Sequence, residues 1–303
     1  MSIDRRRVNR RQLRVLRRFT YTEPDVFYQL EKLRSAYSIF HWSEEHFNNY
    51  GLFSDYYLLE RSRDRDEWQQ DVRSSFQNVR ALYDDALIKW SGKDEAALRT
   101  GVIEPLFELL GFAFKEVKKP NDASTNPDYL LYAHAGGEPI AACLCYSWGR
   151  SLDGRDERDS HTPEENPSAV VVSTLKSSSA PWAIVTNGKL WRLYYGKSSS
   201  IATTYYEIDL LEILSGPEGL GTTADSFDLS TSFKYFDLFF SARAFSPLQE
   251  QVAGEERKTS FLESLIRGSE EYAKALGERL KDRTFEDIFP YLARGFIDYM
   301  HRT

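Results

Sequence analysis

With 303 residues, 41% apolar and 28% charged content, the chain is long enough for one large domain or two ordinary ones, and its composition is that of a globular protein. No apolar run approaches the ~18 residues that a membrane-spanning helix needs, and no apolar stretch follows the first basic residues, so neither a membrane span nor a secretory signal is expected. The net charge of −7 conceals a split: residues 1–20 hold eight arginines against one acid, a local +7 that leaves −14 on the rest. Arg5, Arg6, Arg7, Arg10, Arg11, Arg14, Arg17 and Arg18 therefore form a basic arm. It suits nonspecific contact with DNA phosphates, the other reading being a solvated or docked tail.

After the arm, Phe27, Leu30, Leu33, Tyr37 and Phe40 recur at helical spacing over 24–47. Asn49 and Gly51 break the pattern, and Ser54 is placed to cap a short helix. Arg61 to Asp71 is charged and expected to be exposed. A second amphipathic helix is predicted over 72–90, with Phe76, Val79, Leu82, Tyr83 and Leu87 on one side. A third runs over 94–110, capped by Asp94, with Leu98, Val102, Leu106 and Leu109 as its buried stripe and Gly111 at its C-terminal stop.

The period then changes. Residues 112–117 alternate as a strand, 118–125 are a polar loop, and 128–133 with 140–146 read as a hairpin. A long polar loop over 147–166 leads to a helix starting at Pro167, with Asn166 as cap. Residues 181–195 read as a hairpin turned at Asn187-Gly188, a pair that suits a two-residue type I′ turn. A strand at 205–209, a short helix at 210–214, a linker or loop at 215–232, an aromatic helix at 233–245 and a long helix over 257–302 complete the chain. The last helix carries Phe285, Ile288, Leu292, Phe296 and Tyr299 as a stripe and reaches the end without a stop signal. The expected divisions are a basic arm at 1–20, a helical extension at 21–92, an α/β domain at 93–214, a linker at 215–232 and a helical connector at 233–303.

The chemistry is sparse. There is no Gly-x-Gly-x-x-Gly, Walker loop, nucleophile elbow or methyltransferase motif, and the five histidines show no ligand spacing. Cys143 and Cys145 lie one residue apart on a predicted strand, poorly placed to bridge and too few to close a zinc site. They are expected to be buried reduced thiols, consistent with a cytoplasmic protein.

What remains is an order and a set of runs. Helix, strand, hairpin, helix, strand resembles the core of PD-(D/E)xK nucleases. Leu52-Phe-Ser-Asp-Tyr-Tyr-Leu58, Ile103-Glu-Pro-Leu-Phe-Glu-Leu-Leu-Gly111, Asn126-Pro-Asp128, Ser147-Trp-Gly-Arg-Ser-Leu-Asp153 and the run from Trp182 to Tyr194 are similar to the N-terminal nuclease region of Type IIG-like restriction–modification proteins. The resemblance covers roughly residues 50–210. It implies an α/β fold: a PD-(D/E)xK-like core, with a mixed sheet flanked by helices, an α-helical N-terminal extension and C-terminal helices.

In that family a helix glutamate, the aspartate of the Pro-Asp pair and a strand acid hold Mg²⁺, and a lysine two residues after the acid orients the attacking water. Glu104 and Asp128 match the first two positions. Leu144 and Tyr146 stand where the acid and the lysine belong, sharing one face of the strand. A shift of one residue places Cys143 and Cys145, or Cys145 and Ser147, there instead, and no register recovers the set. The resemblance therefore implies a vestigial site and no metal cofactor. The chain would hold DNA, or dock a partner such as a methyltransferase, in a restriction–modification or antiphage defence system, with Arg150 in the polar loop as a further phosphate contact. A second reading is an active Mg²⁺-dependent endonuclease with relocated groups: Asp122, Glu138 or Asp153 as the acid, Lys118 or Lys119 as the amine. A third is a protein-interaction scaffold whose arm binds an acidic partner.

Overall fold

Near-continuous apolar runs such as Trp182–Thr186 and Leu190–Tyr195 build the centre of a seven-stranded sheet whose faces are both covered. The computed structural model describes residues 47–89, 95–117, 126–159, 161–215, 226–252, 255–284, 286 and 289–291, all within a unit that runs from His46 to Thr303. The basic arm, residues 24–46 of the helix expected over 24–47, the loop at 118–125 and the stripe residues Phe285, Ile288, Leu292, Phe296 and Tyr299 lie outside the described residues.

The strands are β1 (Phe47–Asn49), β2 (Ala113–Glu116), β3 (Tyr129–Tyr132), β4 (Pro139–Cys145), β5 (Trp182–Thr186), β6 (Leu190–Tyr195) and β7 (Tyr205–Asp209). Their order is β1-β7-β6-β5-β4-β3-β2. Only β4 and β5 run parallel; every other neighbouring pair is antiparallel. The parallel pair needs a crossover, which a helix over Pro167–Ser177 supplies. As expected, Pro167 occupies its first turn and the Asn166 side chain caps it by accepting the Ser168 N–H.

One face of the sheet lies under this crossover helix, where Val170 and Val171 meet Leu144, Ala183 and Val185. The other face carries the larger core. Helices α1 (Arg73–Lys89) and α2 contribute to it; α2 joins Glu95–Leu98, a π-helical turn Arg99–Ile103, and Glu104–Leu109. With the crossover helix as α3 and Leu210–Ser215 as α4, helix α5 (Ser226–Phe240) follows, then a short α6 (Ala242–Phe245). From α5, Phe236 and Phe240 pack on Trp191 at ring separations of 5.6 and 6.0 Å. The high aromatic content goes into this core, where Trp191, Tyr206 and Phe107 are fully buried. The protein is thus α/β, a mixed sheet flanked by helices.

Several local expectations hold. Gly111 takes φ +80, its N–H reaches the Glu108 carbonyl at 3.0 Å, and the Phe112 N–H reaches Phe107 at 2.9 Å, the paired bonds of a Schellman stop. The Ser54 hydroxyl accepts the Tyr57 N–H at 3.1 Å at the head of the turn Tyr57–Arg61.

Others need correction. Asn187-Gly188 does not make a two-residue turn, because Thr186 pairs with Trp191, leaving a four-residue loop at 187–190. Asn187 instead uses its side-chain oxygen to accept the N–H groups of Lys189 and Leu190 at 3.0 and 2.9 Å. Gly188 takes the left-handed conformation, at φ +84, and a Cβ there would come within 2.8 Å of the Trp148 ring.

Phe47, read as the last residue of a helix, instead opens the edge strand Phe47–Asn49 on β7 and anchors it against Tyr235 and Tyr206. The segment Arg61–Asp71 is not wholly exposed: a 3₁₀ turn at Asp66–Gln69 buries Trp68, and the Lys234 ammonium donates to its carbonyl at 2.9 Å. Residues 226–232, assigned to a linker, begin helix α5. Residues 257–260, read as helix, belong to β9 (Glu255–Ser260), paired with β8 (Pro247–Val252) in a two-stranded sheet. Helix α7 (Phe261–Arg283) starts only after a Ser260–Glu263 capping box.

Candidate functional site

The π-helical turn in α2 decides which side chains face the sheet. Leu98, Val102, Leu106 and Leu110 are all buried and lie four residues apart, a spacing that drifts by about 40° per step in a regular helix. The turn closes an i→i+5 bond from the Glu104 N–H to the Arg99 carbonyl, and its extra residue takes up that drift. Leu109, the expected stripe residue, is consequently 41% exposed while Leu110 is buried. Such turns recur at functional sites, and this one has Arg99 at its start and Glu104 just past its end.

Asp128 and Tyr129, at the entry of β3, reach these two residues. The Asp128 N–H donates to the Cys143 carbonyl at 2.8 Å, which fixes the aspartate beside β4. Its carboxylate is 1% exposed and pairs with the Arg99 guanidinium, itself 19% exposed. The other carboxylate oxygen accepts the Cys145 N–H at 2.8 Å. The Tyr129 hydroxyl donates to Glu104 at 2.7 Å. Burial and then the Glu104 bond push this hydroxyl well above the ordinary tyrosine range, so it stays a donor. Glu104 and Asp128 are therefore both drawn to one end of the sheet, and each is engaged by a group of this chain.

Leu144 and Tyr146 share a face, as strand alternation requires, and it is the face under α3. They pack with Leu152, Val170, Val171 and Val185, whereas Tyr129 belongs to the opposite core. The Tyr146 hydroxyl donates to Glu165 at 2.6 Å, and burial followed by the Glu165 charge pushes it up. On the Tyr129 side the strand presents Cys143 and Cys145 instead, buried and free of disulfides. Their sulfurs are 3.9 Å apart, and burial, then the Cys143 hydrogen bond, holds the Cys145 thiol well above its usual value.

Of the relocated candidates, Glu138 is exposed, Asp153 pairs with Arg192 at 2.9 Å, and Lys118, Lys119 and Asp122 lie outside the described residues. Among the described residues, no three of His, Cys, Asp and Glu gather to hold a metal ion, and no helix is long and apolar enough to cross a membrane.

The long polar loop at 147–166 is organised around Arg150. Its side chain is fully buried against Asp159, at 2.8 Å. The guanidinium also donates to the carbonyls of Ser151, Thr162 and Glu165 at 2.7, 2.9 and 2.6 Å, and it lies over the Tyr146 ring at 4.7 Å. These surroundings make Arg150 the internal brace of the loop, in place of the phosphate contact its loop position suggested. The exposed arginines of the loop, Arg155 and Arg158, pair with Glu164 and Asp156.

Burial alone would raise the Asp159 carboxyl. Hydrogen bonds from the Thr162 hydroxyl, the His161 N–H and the Ser147 hydroxyl outweigh it and hold the group below the usual carboxylate range. Asp156 is also depressed, first by the Arg158 side chain and then by the Ser151 N–H. A depressed folded-state pKa contributes stability above the unfolded value of about 4 that is lost as pH falls through the folded one. Thermal melts taken from pH 6 downward are expected to stay level until about pH 4 and then drop. Asp159→Asn should flatten that acid limb, and an unchanged limb would mean that the loop carboxylates are not its source.

Sequence reading missed Arg99 and Tyr129. The available signals were a cation five residues before Glu104 on the same helix and a hydroxyl directly after the Pro127-Asp128 pair. Comparison with known protein families, curated proteins and solved structures finds no match.

Proposed function

We propose that this chain is a restriction-endonuclease-like domain in which internal pairs replace the metal centre, and that it serves a restriction–modification or antiphage defence protein by holding DNA or docking a partner such as a methyltransferase. The observation that carries this reading is the Arg99 guanidinium on Asp128. A fixed cation of the protein neutralises the carboxylate that Mg²⁺ would otherwise need. The element order supports it: α2, the antiparallel β2-β3-β4, the crossover α3, then β5 parallel to β4. So does the donor chemistry. Leucine ligates nothing, tyrosine here stays protonated, and thiols are soft ligands ill-suited to Mg²⁺. The DNA-holding part rests on the eight arginines of residues 1–20.

Incubation of plasmid and linear DNA with Mg²⁺ or Mn²⁺ is expected to leave both intact. Cleavage that disappears in a folded Asp128→Ala variant would establish the active endonuclease instead. In anisotropy titrations of a duplex at two salt concentrations, deletion of residues 1–20 should remove most of the affinity and most of the salt slope, because counterion release tracks phosphate contacts. An unchanged slope would place the DNA contact elsewhere. No duplex binding by either protein would favour the scaffold reading.

A further inference from the structure

A groove away from the Arg99–Asp128 pair carries its own chemistry. The π-helical turn Tyr57–Arg61 lies against helix α7 where Gly268 leaves room for the Tyr57 ring; a Cβ there would run into it. Four residues further on, the Tyr272 ring stacks on Tyr56 at 4.6 Å and 20°. Both rings are 36% exposed. Between turn and helix is a cavity of about 390 Å³ lined by Tyr56, Tyr57, Tyr272, Leu276, Arg61 and Arg279, within the range of about 300–1,000 Å³ usual for small-molecule sites. Beyond Ser269, residues 270–282 of α7 are exposed throughout, so Leu276 and the groove side of Tyr272 stay open to solvent.

The lining selects among ligands. Three phenol rings offer flat apolar faces. Arg61 lies 5.6 Å from the Tyr56 ring centre, and its exposed pair with Asp64 at 3.6 Å is a weak hold. Arg279 adds a second guanidinium. Glu271 lines the groove and Asp64 sits beside Arg61, so the two guanidinium groups are the charged donors that a ligand anion would meet there. A purely apolar ligand has no use for two guanidinium groups, and a cationic one is repelled. A flat ring carrying a phosphate satisfies both sets.

We infer that this groove binds an unpaired nucleotide of a single strand, with the base against the Tyr56–Tyr272 pair and the flanking phosphates on Arg61 and Arg279. Stacking of this kind tolerates any base, because each has a π face, and the arginines follow the backbone. The site requires neither the basic arm nor a nuclease-like ancestry.

The test uses the full chain and short labelled oligodeoxyuridine and oligouridine in anisotropy titrations. Tyr272→Ala is expected to weaken binding about tenfold or more, and Tyr272→Phe to retain it. Arg279→Gln should lower the salt slope by about 0.7, the value for one contact to a single strand. Both positions are exposed, and matching melting curves verify the fold. Loss on both oligomers supports recognition of the unpaired nucleotide itself, and loss on one names the sugar. If either Tyr272→Ala or Arg279→Gln binds like the parent, or the intact chain binds neither oligomer, the inference fails. Duplex binding and cleavage are separate readouts, so this failure is distinct from failure of the nuclease-like reading.

Discussion

Replacing Arg99 by methionine is expected to lower the unfolding free energy by about 3–5 kcal/mol, the usual cost of removing one partner from a buried ion pair. Asp128 is almost completely enclosed, and its carboxylate would keep the Cys145 N–H while losing the guanidinium. A neutral, isosteric pair removes the problem, so the double variant Arg99→Met, Asp128→Leu should recover much of the loss. Urea unfolding followed by tryptophan fluorescence measures both, and the double-mutant cycle isolates the pair from the packing of each side chain. A loss below about 1 kcal/mol in the single variant would place this pair with the solvent-screened surface ones. In that case the Asp128 charge would remain available to an external cation, and the proposal of an internally closed centre would fall with it.

Arg150→Ala is expected to be of similar size, about 3–5 kcal/mol, for a different reason. Here one guanidinium satisfies Asp159 and three backbone carbonyls together. Its removal strands a buried carboxylate and several acceptors at once. Lysine should not rescue it, because a single ammonium cannot present the planar fork that spans these acceptors. Limited proteolysis provides the local reading: cleavage is expected to move into residues 147–166 in the variant and to be absent there in the parent. Duplex affinity of the folded fraction should stay unchanged. A fall in affinity without a fall in stability would return Arg150 to the phosphate contacts first expected of it.

Much of the sheet was legible because its signals are local. Alternation marked β2, apolar runs bounded by turn residues marked β3 to β7, and Gly111 and Asn166 marked a helix stop and a start. Each depends on hydrogen bonds or dihedrals settled within a few residues of chain. Composition offered no apolar run long enough to span a membrane and only two cysteines for a zinc site or a disulfide.

Tertiary structure decided the remainder. Edge strand β1 and the β8–β9 pair form because a neighbouring strand is there to receive them, which three residues of Phe-Asn-Asn, or a charged run such as Glu-Glu-Arg-Lys, cannot announce. A π-helical turn inserts one residue into the count, so a stripe read at 3.6 residues per turn named Leu109 where Leu110 is buried. The partners of Asp128 and Arg150 depend on which buried face each charge meets after packing. A charge in sequence carries no record of that face; only the requirement that a buried ion be compensated does, and it is met by whatever group the fold brings within reach.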